Sequence, residues 1–157
     1  MKDQTIYDIL HKEHETVQGI LDKIDETDGG AARSKLLEQL KANLLPHMHA
    51  EEQVFYKPLR GGEDETRETA LDATEEHRAA RHVLQELERL SPDGELWKAR
   101  FHVLKESIEH HVEEEEGEVF KKSKSEFSTE EAVEIGRQFL AAKKEFIAQQ
   151  SPVKKAG

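Results

Sequence analysis

The stretch HMHAEEQVFY, His47 to Tyr56, places a histidine and a glutamate four positions apart, at His47 and Glu51. Further along, HHVEEEEGEVF, His110 to Phe120, repeats that spacing with His111 and Glu115. A lone histidine precedes each pair, His14 before the first and His77 before the second. A His and a Glu at i and i+4 lie one turn apart on a single helix face, so two such helices can aim four groups at one point. Imidazole nitrogen together with carboxylate oxygen suits a transition metal, iron above all where two metals share bridging carboxylates.

Working outward from these motifs, turn signals cut the chain into five helical segments. The first runs from about Gln4 to Glu26, opened by a Thr5/Asp8 capping box and ended by DGG at Asp28–Gly30. The second spans roughly Ala31 to Lys57, before Pro58 and Gly61–Gly62. The third spans about Glu63 to Leu90, before the turn Ser91–Gly94. A fourth covers about Glu95 to Lys122, and a fifth starts near Ser128, where Ser128 and Glu131 form a second capping box, and fades before Pro152. Long helices joined by short turns pack antiparallel. The expectation is an all-α protein: an up-down-up-down four-helix bundle over residues 1–125, with an additional C-terminal helix and frayed tail over 126–157. Val133, Gly136, Phe139, Leu140, Phe146 and Ile147 give that last helix an apolar side, for packing outside the bundle or for a dimer contact. Pro46, which removes a helical hydrogen bond, predicts a kink or a helix start just before His47.

Steps of three and four place the candidate ligands on the inward stripe of each helix. The stripes read Tyr7, Leu10, His14, Val17, Leu21, Ile24; then Leu37, Leu40, Leu44, His47, Glu51, Val54. The third reads Ala70, Ala73, His77, Ala80, Leu84, Leu87. The fourth reads Trp97, Phe101, Leu104, Ile108, His111, Glu115, then Glu118 or Val119. Each candidate interrupts an otherwise apolar or small run. Glutamate is almost never buried unless it is paired or bound to metal, and two unpaired buried carboxylates would each cost several kcal/mol. A metal centre removes that conflict. A lone histidine on such a stripe would more simply be a hydrogen-bonded core residue; it is the sixfold coincidence that outweighs that reading. The same geometry sets the remaining histidines aside: His49 lies about 200° round from His47, His82 and His102 fall off their stripes, and His11 sits at an edge. His110 is the rival to His111, because it pairs with Glu114 at i+4. In the acidic run Glu113–Glu116 only Glu115 needs to point inward, the others forming a solvated face.

Charged residues make up 36% of the chain and apolar ones 35%, which suits solvated outer helix faces around one modest core. The net charge of −11 opposes binding to nucleic acid or anionic lipid. No apolar run approaches the roughly 18–20 residues of a membrane helix, and the first residues lack a secretory layout, so a cytoplasmic location is expected. Cysteine is absent, which excludes disulfides, thiolate zinc sites and iron–sulfur clusters.

These motifs, DILHKEH ending at His14, HMHAEEQVFY, EEHRAAR around His77 and HHVEEEEGEVF, together resemble the hemerythrin-like HHE cation-binding family over roughly residues 5–122. The resemblance implies a bundle holding two non-haem iron ions bridged by an oxo or hydroxo group, with oxygen, nitric oxide or peroxide as small-molecule ligand. Carried over, it implies that His14 and His47 bind one iron and His77 and His111 the other, with Glu51 and Glu115 bridging. Oxygen-carrying members have a further histidine where this chain has Ala73, and an aspartate where it has Glu115, so the implied site is more symmetric and more open. Some members place a tyrosine near the metals. Tyr56 matches by position, but on an ideal helix it points about 180° away from His47, so it is left out of the site unless Pro58 unwinds the helix end.

The function expected is binding or turnover of a small oxidant, with possible catalase-like degradation of peroxide under oxidative stress. The irons would do the redox chemistry, and no side chain beyond the ligands is singled out as catalytic. The competing readings are a non-catalytic sensing or storage module for oxygen, nitric oxide or iron, and a metal-free structural bundle. Mn or Zn could occupy the same ligands. The expected state is a monomer or weak homodimer.

Overall fold

The computed structural model describes residues 3–150; the expected frayed tail beyond Gln150 lies outside them. Among these residues the structure is helical throughout, with no strand. Helix α1 spans Ile6–Asp25 and α2 Gly30–Glu51. Helix α2 then continues through a π-helical turn, Glu52–Tyr56, into a last turn, Lys57–Leu59. Helix α3 spans Asp64–Arg89. Helix α4 spans Glu95–Glu114 and runs on through a second π turn, Glu115–Val119, to Phe120–Glu126. Helix α5 spans Thr129–Gln150. The four-helix bundle and the extra C-terminal helix are thus present. Both capping boxes form: Asp8 N–H donates to Thr5 Oγ1 at 3.2 Å and Thr5 N–H to Asp8 at 3.0 Å, and Ser128 and Glu131 exchange the equivalent pair. Pro46 lies inside α2, so no helix starts there.

The turn at Asp28–Gly30 needs glycine, since Gly29 has φ +106°. It is tied to the Ser91–Gly94 turn at the same end of the bundle: Gly30 N–H donates to Asp93 Oδ1 at 2.7 Å. Arg33, 7% exposed, spans the two turns by donating to Thr27 O at 3.0 Å and Pro92 O at 2.7 Å, with its guanidinium over the Trp97 ring. Arg33→Ala therefore removes two charge-assisted bonds and is expected to lower the unfolding free energy by about 2–3 kcal/mol. Urea melts of the variant would read this; a loss under about 0.5 kcal/mol, typical of a surface change, would show that the turns hold without it.

Two apolar clusters form the core. One, from Val17, Leu21, Leu40, Leu44 and Leu84 to Trp97 and Leu104, fills the end with the two clamped turns. The other, built on Ile6, Leu10, Phe55, Leu59, Phe120 and Phe139, fills the opposite end. In each of α1–α4 the chain passes from one cluster to the other through its candidate ligands: Leu10–His14–Val17, Leu44–His47–Glu51–Phe55, Ala73–His77–Ala80 and Ile108–His111–Glu115–Val119. A polar layer is therefore closed above and below by dry side chains.

Helix α5 packs along α1 and α2. Its buried side is Ala132, Ile135, Gly136 and Phe139, while Leu140 and Ile147 remain about half exposed, so the apolar side expected from the sequence is rolled by part of a turn. The cause is close approach: a Cβ on Gly136 would lie 3.0 Å from Ile9 and 3.2 Å from the Ile6 nitrogen, so the small residues face α1.

Candidate metal centre

All six stripe residues, His14, His47, Glu51, His77, His111 and Glu115, are buried in this layer, and their inner atoms converge. His14, His47, Glu51 and Glu115 each offer one ligand atom within 4.8 Å of the others, and Glu51, His77 and His111 form a second such group. Glu51 belongs to both: its Oε1 lies 3.2 Å from His47 Nε2 and 3.1 Å from His77 Nε2. Glu115 also reaches both ways, with Oε1 2.9 Å from His14 Nε2 and Oε2 4.0 Å from His111 Nε2. His77 Nε2 and His111 Nε2 are 3.1 Å apart. His110 is exposed, so it is His111 that faces inward.

Each imidazole turns Nε2 to the centre because a carboxylate holds its other nitrogen. Nδ1 of His14 donates to Glu116 at 2.7 Å, of His47 to Glu13 at 2.8 Å, of His77 to Glu52 at 2.7 Å and of His111 to Glu76 at 2.6 Å. Such partners fix ring orientation and raise ligand basicity. None of these four was singled out from the sequence, and Glu116 is not part of a solvated face. Each nevertheless sits beside a candidate ligand, in doublets that repeat: Glu13–His14 with Glu76–His77, and Glu51–Glu52 with Glu115–Glu116.

Tyr56, set aside on an ideal helix, is in the site. Its hydroxyl donates to Glu115 Oε2 and lies 3.3 Å from both Glu51 Oε1 and His111 Nε2. The π turn at Glu52–Tyr56 is the reason: one extra residue per turn carries Tyr56 back by about 100°, toward the Glu51 face. Pro58 has no N–H for the carbonyl four residues earlier, which favours the wider turn. Yet the matching π turn in α4 contains no proline, and both turns begin at or just after a buried glutamate. Val54 is only partly buried at the edge of the core, while Phe55 and Tyr56 are fully buried. His49 also departs from expectation: it is half buried, with its ring 4.8 Å from that of Phe146 on α5. His11, His82 and His102 are exposed.

The electrostatics are those of a cage made for positive charge. Burial alone would push the His47 imidazole down, but Glu51 and Glu13 against it hold it up to about 10. His14 and His77 are likewise raised, with burial opposed by Glu115 and Glu51 respectively. Burial would raise Glu51, but the surrounding histidines, His47 first, hold it well below the usual carboxylate range. Burial and the two carboxylates push the Tyr56 phenol well above 10, so it stays protonated. Glu51 Oε2 is buried without a hydrogen-bond partner, and His14 Nε2 and Glu115 Oε1 are buried with only each other, 2.9 Å apart, an arrangement costly for polar atoms unless something bonds them. Four imidazoles and two carboxylates suit one or two transition-metal cations, and those atoms are where the cations would bond.

A cavity of about 20 Å3 lies against all four imidazoles, walled by Val17, Leu44, Met48, Ala80, Ile108 and Val112. It has room for about one water-sized molecule. A second opening, of about 90 Å3, reaches His111 and Glu115 from solvent past Ala73, Asp72 and Glu118.

The sequence matches the Hemerythrin HHE cation binding domain over residues 5–123, and the chain belongs to that family. A DNA nickase from Nostoc sp. is 26% identical over 144 residues, which are 90% of this chain and 40% of that protein. The chain thus spans 40% of the length of the relative it matches. No solved structure matches.

Proposed function

We propose that this hemerythrin HHE family member holds two iron ions and uses them to bind or turn over a small oxidant: oxygen, nitric oxide or hydrogen peroxide. In this reading His14 and His47 hold one ion and His77 and His111 the other, with Glu51 and Glu115 shared, in a bundle of residues 1–125 backed by the segment 126–157. What supports it is the convergence of four buried imidazoles and two buried carboxylates, with Glu51 Oε2 left without a partner, beside an apolar cavity of about 20 Å3 lined by the same four imidazoles. Two iron ions at such a site supply the electrons that reduction or dismutation of an oxidant requires. The chain's own part is selection and protection. The apolar wall admits a diatomic or peroxide-sized molecule and excludes larger reductants. The four outer carboxylates keep the imidazoles aimed inward. Tyr56 holds a proton at its hydroxyl oxygen inside the cage, within hydrogen-bond reach of both shared carboxylates. It is the proton-bearing group that the helical stripes did not reveal.

The test is iron-loaded protein with excess peroxide on an oxygen electrode. Oxygen release over many turnovers per chain is expected, together with a role under oxidative stress in a cytoplasmic setting. A single stoichiometric spectral change would move the reading to a sensing or storage module. Metal analysis of freshly purified protein decides iron against Mn or Zn. No described helix is long and apolar enough to cross a membrane, and the exposed Leu140 and Ile147 on α5 fit a monomer or weak homodimer.

The Nostoc relative's name raises a second reading, metal-assisted nicking of DNA. Against it stand the net charge of −11 and the complete burial of Glu51 and Glu115. Supercoiled plasmid is expected to remain intact with the iron-loaded chain.

A further inference from the structure

Helix α5 lies outside the residues that match the family, yet it closes one side of the cage. Phe139, fully buried, stands edge-on to the His47 ring with centroids 5.7 Å apart. One turn on, Lys143 reaches across to Oε2 of Glu13 on α1. The other oxygen of that carboxylate, Oε1, accepts from His47 Nδ1 at 2.8 Å. Glu13 is therefore gripped at both ends, by an imidazole N–H and by an ammonium.

The grip matters because a carboxylate held at one oxygen can still turn. Held at both, its plane is fixed, and with it the tilt of the ring it supports. Glu52, behind His77, also meets a second cation, Arg81 of α3 at 2.8 Å, but at the same oxygen, Oε2, that accepts from His77. For His47 the second hold comes only from α5. An ordinary half-exposed Lys–Glu pair would add a few tenths of a kcal/mol to stability and nothing more. This one is in series with a buried imidazole.

We propose that Lys143 is a positioning residue for the cation site built on His14 and His47. By holding Glu13 Oε2 it keeps Glu13 Oε1 on His47 Nδ1, and so aims His47 Nε2 at the metal; α5 is thereby part of the metal centre. The proposal rests on the reading of His47 as a ligand.

The test titrates ferrous iron, without oxygen, into the metal-stripped full chain against a competing chelator. Lys143→Met is expected to loosen one of the two iron equivalents about tenfold or more and to leave the other unchanged. Lys143→Arg should restore it, and Lys144→Met, at the exposed neighbour, should behave as wild type. In a Glu13→Gln background, Lys143→Met should add no further loosening. Two unchanged equivalents in Lys143→Met would overturn the proposal, as would equal loosening of both alongside a lowered melting temperature. A wild-type chain that takes up no iron would sink the ligand reading itself, visibly and before any variant is compared, and this proposal with it.

Discussion

Glu51→Ala is expected to strip the chain of both metals, taking bound iron from two per chain toward none. The reason is that Glu51 belongs to both ligand groups, with Oε1 3.2 Å from His47 Nε2 and 3.1 Å from His77 Nε2. Removing any one histidine leaves the other group intact, so His77→Ala or His111→Ala should lose one equivalent and keep one. His82→Ala, at an exposed position, should keep both. The contrast is sharper than any single value. A Glu51→Ala chain that retained one full equivalent would mean that the carboxylate serves a single ion and that the shared-ligand arrangement is wrong. The variant should still fold without metal, because burial favours the neutral form of His47 and His77 once that carboxylate is gone, and no unpaired buried charge need remain.

The six stripe residues are legible in the sequence because helical periodicity alone assigns facing, and α1–α4 keep their phase from their first turn to the ligand layer. Phase is also where legibility ends. Tyr56 stands beyond a π turn, and one inserted residue converts an outward position into the centre of the cage. No local composition announces that turn; only the second, at Glu115–Val119, shows that it belongs to the site and not to Pro58. The carboxylates Glu13, Glu52, Glu76 and Glu116 escape for a different reason. Their partners lie on other helices, and a single-helix stripe carries no information about contacts across the bundle. The repeated Glu–His and Glu–Glu doublets were the available signal. Phe139 is legible as part of the apolar side of α5, but its contact with His47 and that of Lys143 with Glu13 are not, since the roll of α5 is set by how closely Gly136 approaches Ile9 and the Ile6 backbone.

Metal removal should produce the largest change in stability, and its dependence on pH has a definite sign. A ligand at a thousandfold excess over its dissociation constant stabilises by about 4 kcal/mol per site. Two sites then give about 8 kcal/mol, which for a chain of this size is a fall in melting temperature on the order of 15–30 °C after chelation. The metal-free chain is not left with bare buried carboxylates, because protons partly replace the cations. His47, held up to about 10 in the fold against about 6.5 when unfolded, adds stability that is whole below pH 6.5 and lost as the pH rises through about 10. Raised His14 and His77 act in the same direction. Metal, by contrast, needs the neutral imidazoles and binds more tightly as those protons leave. The gap in melting temperature between loaded and metal-free protein should therefore widen steadily from pH 6.5 to about 9. Calorimetry of both forms across that range measures it. A gap that stayed flat, or narrowed, would mean that the histidines are not protonated in the metal-free fold and that cations and protons do not compete for the same nitrogens.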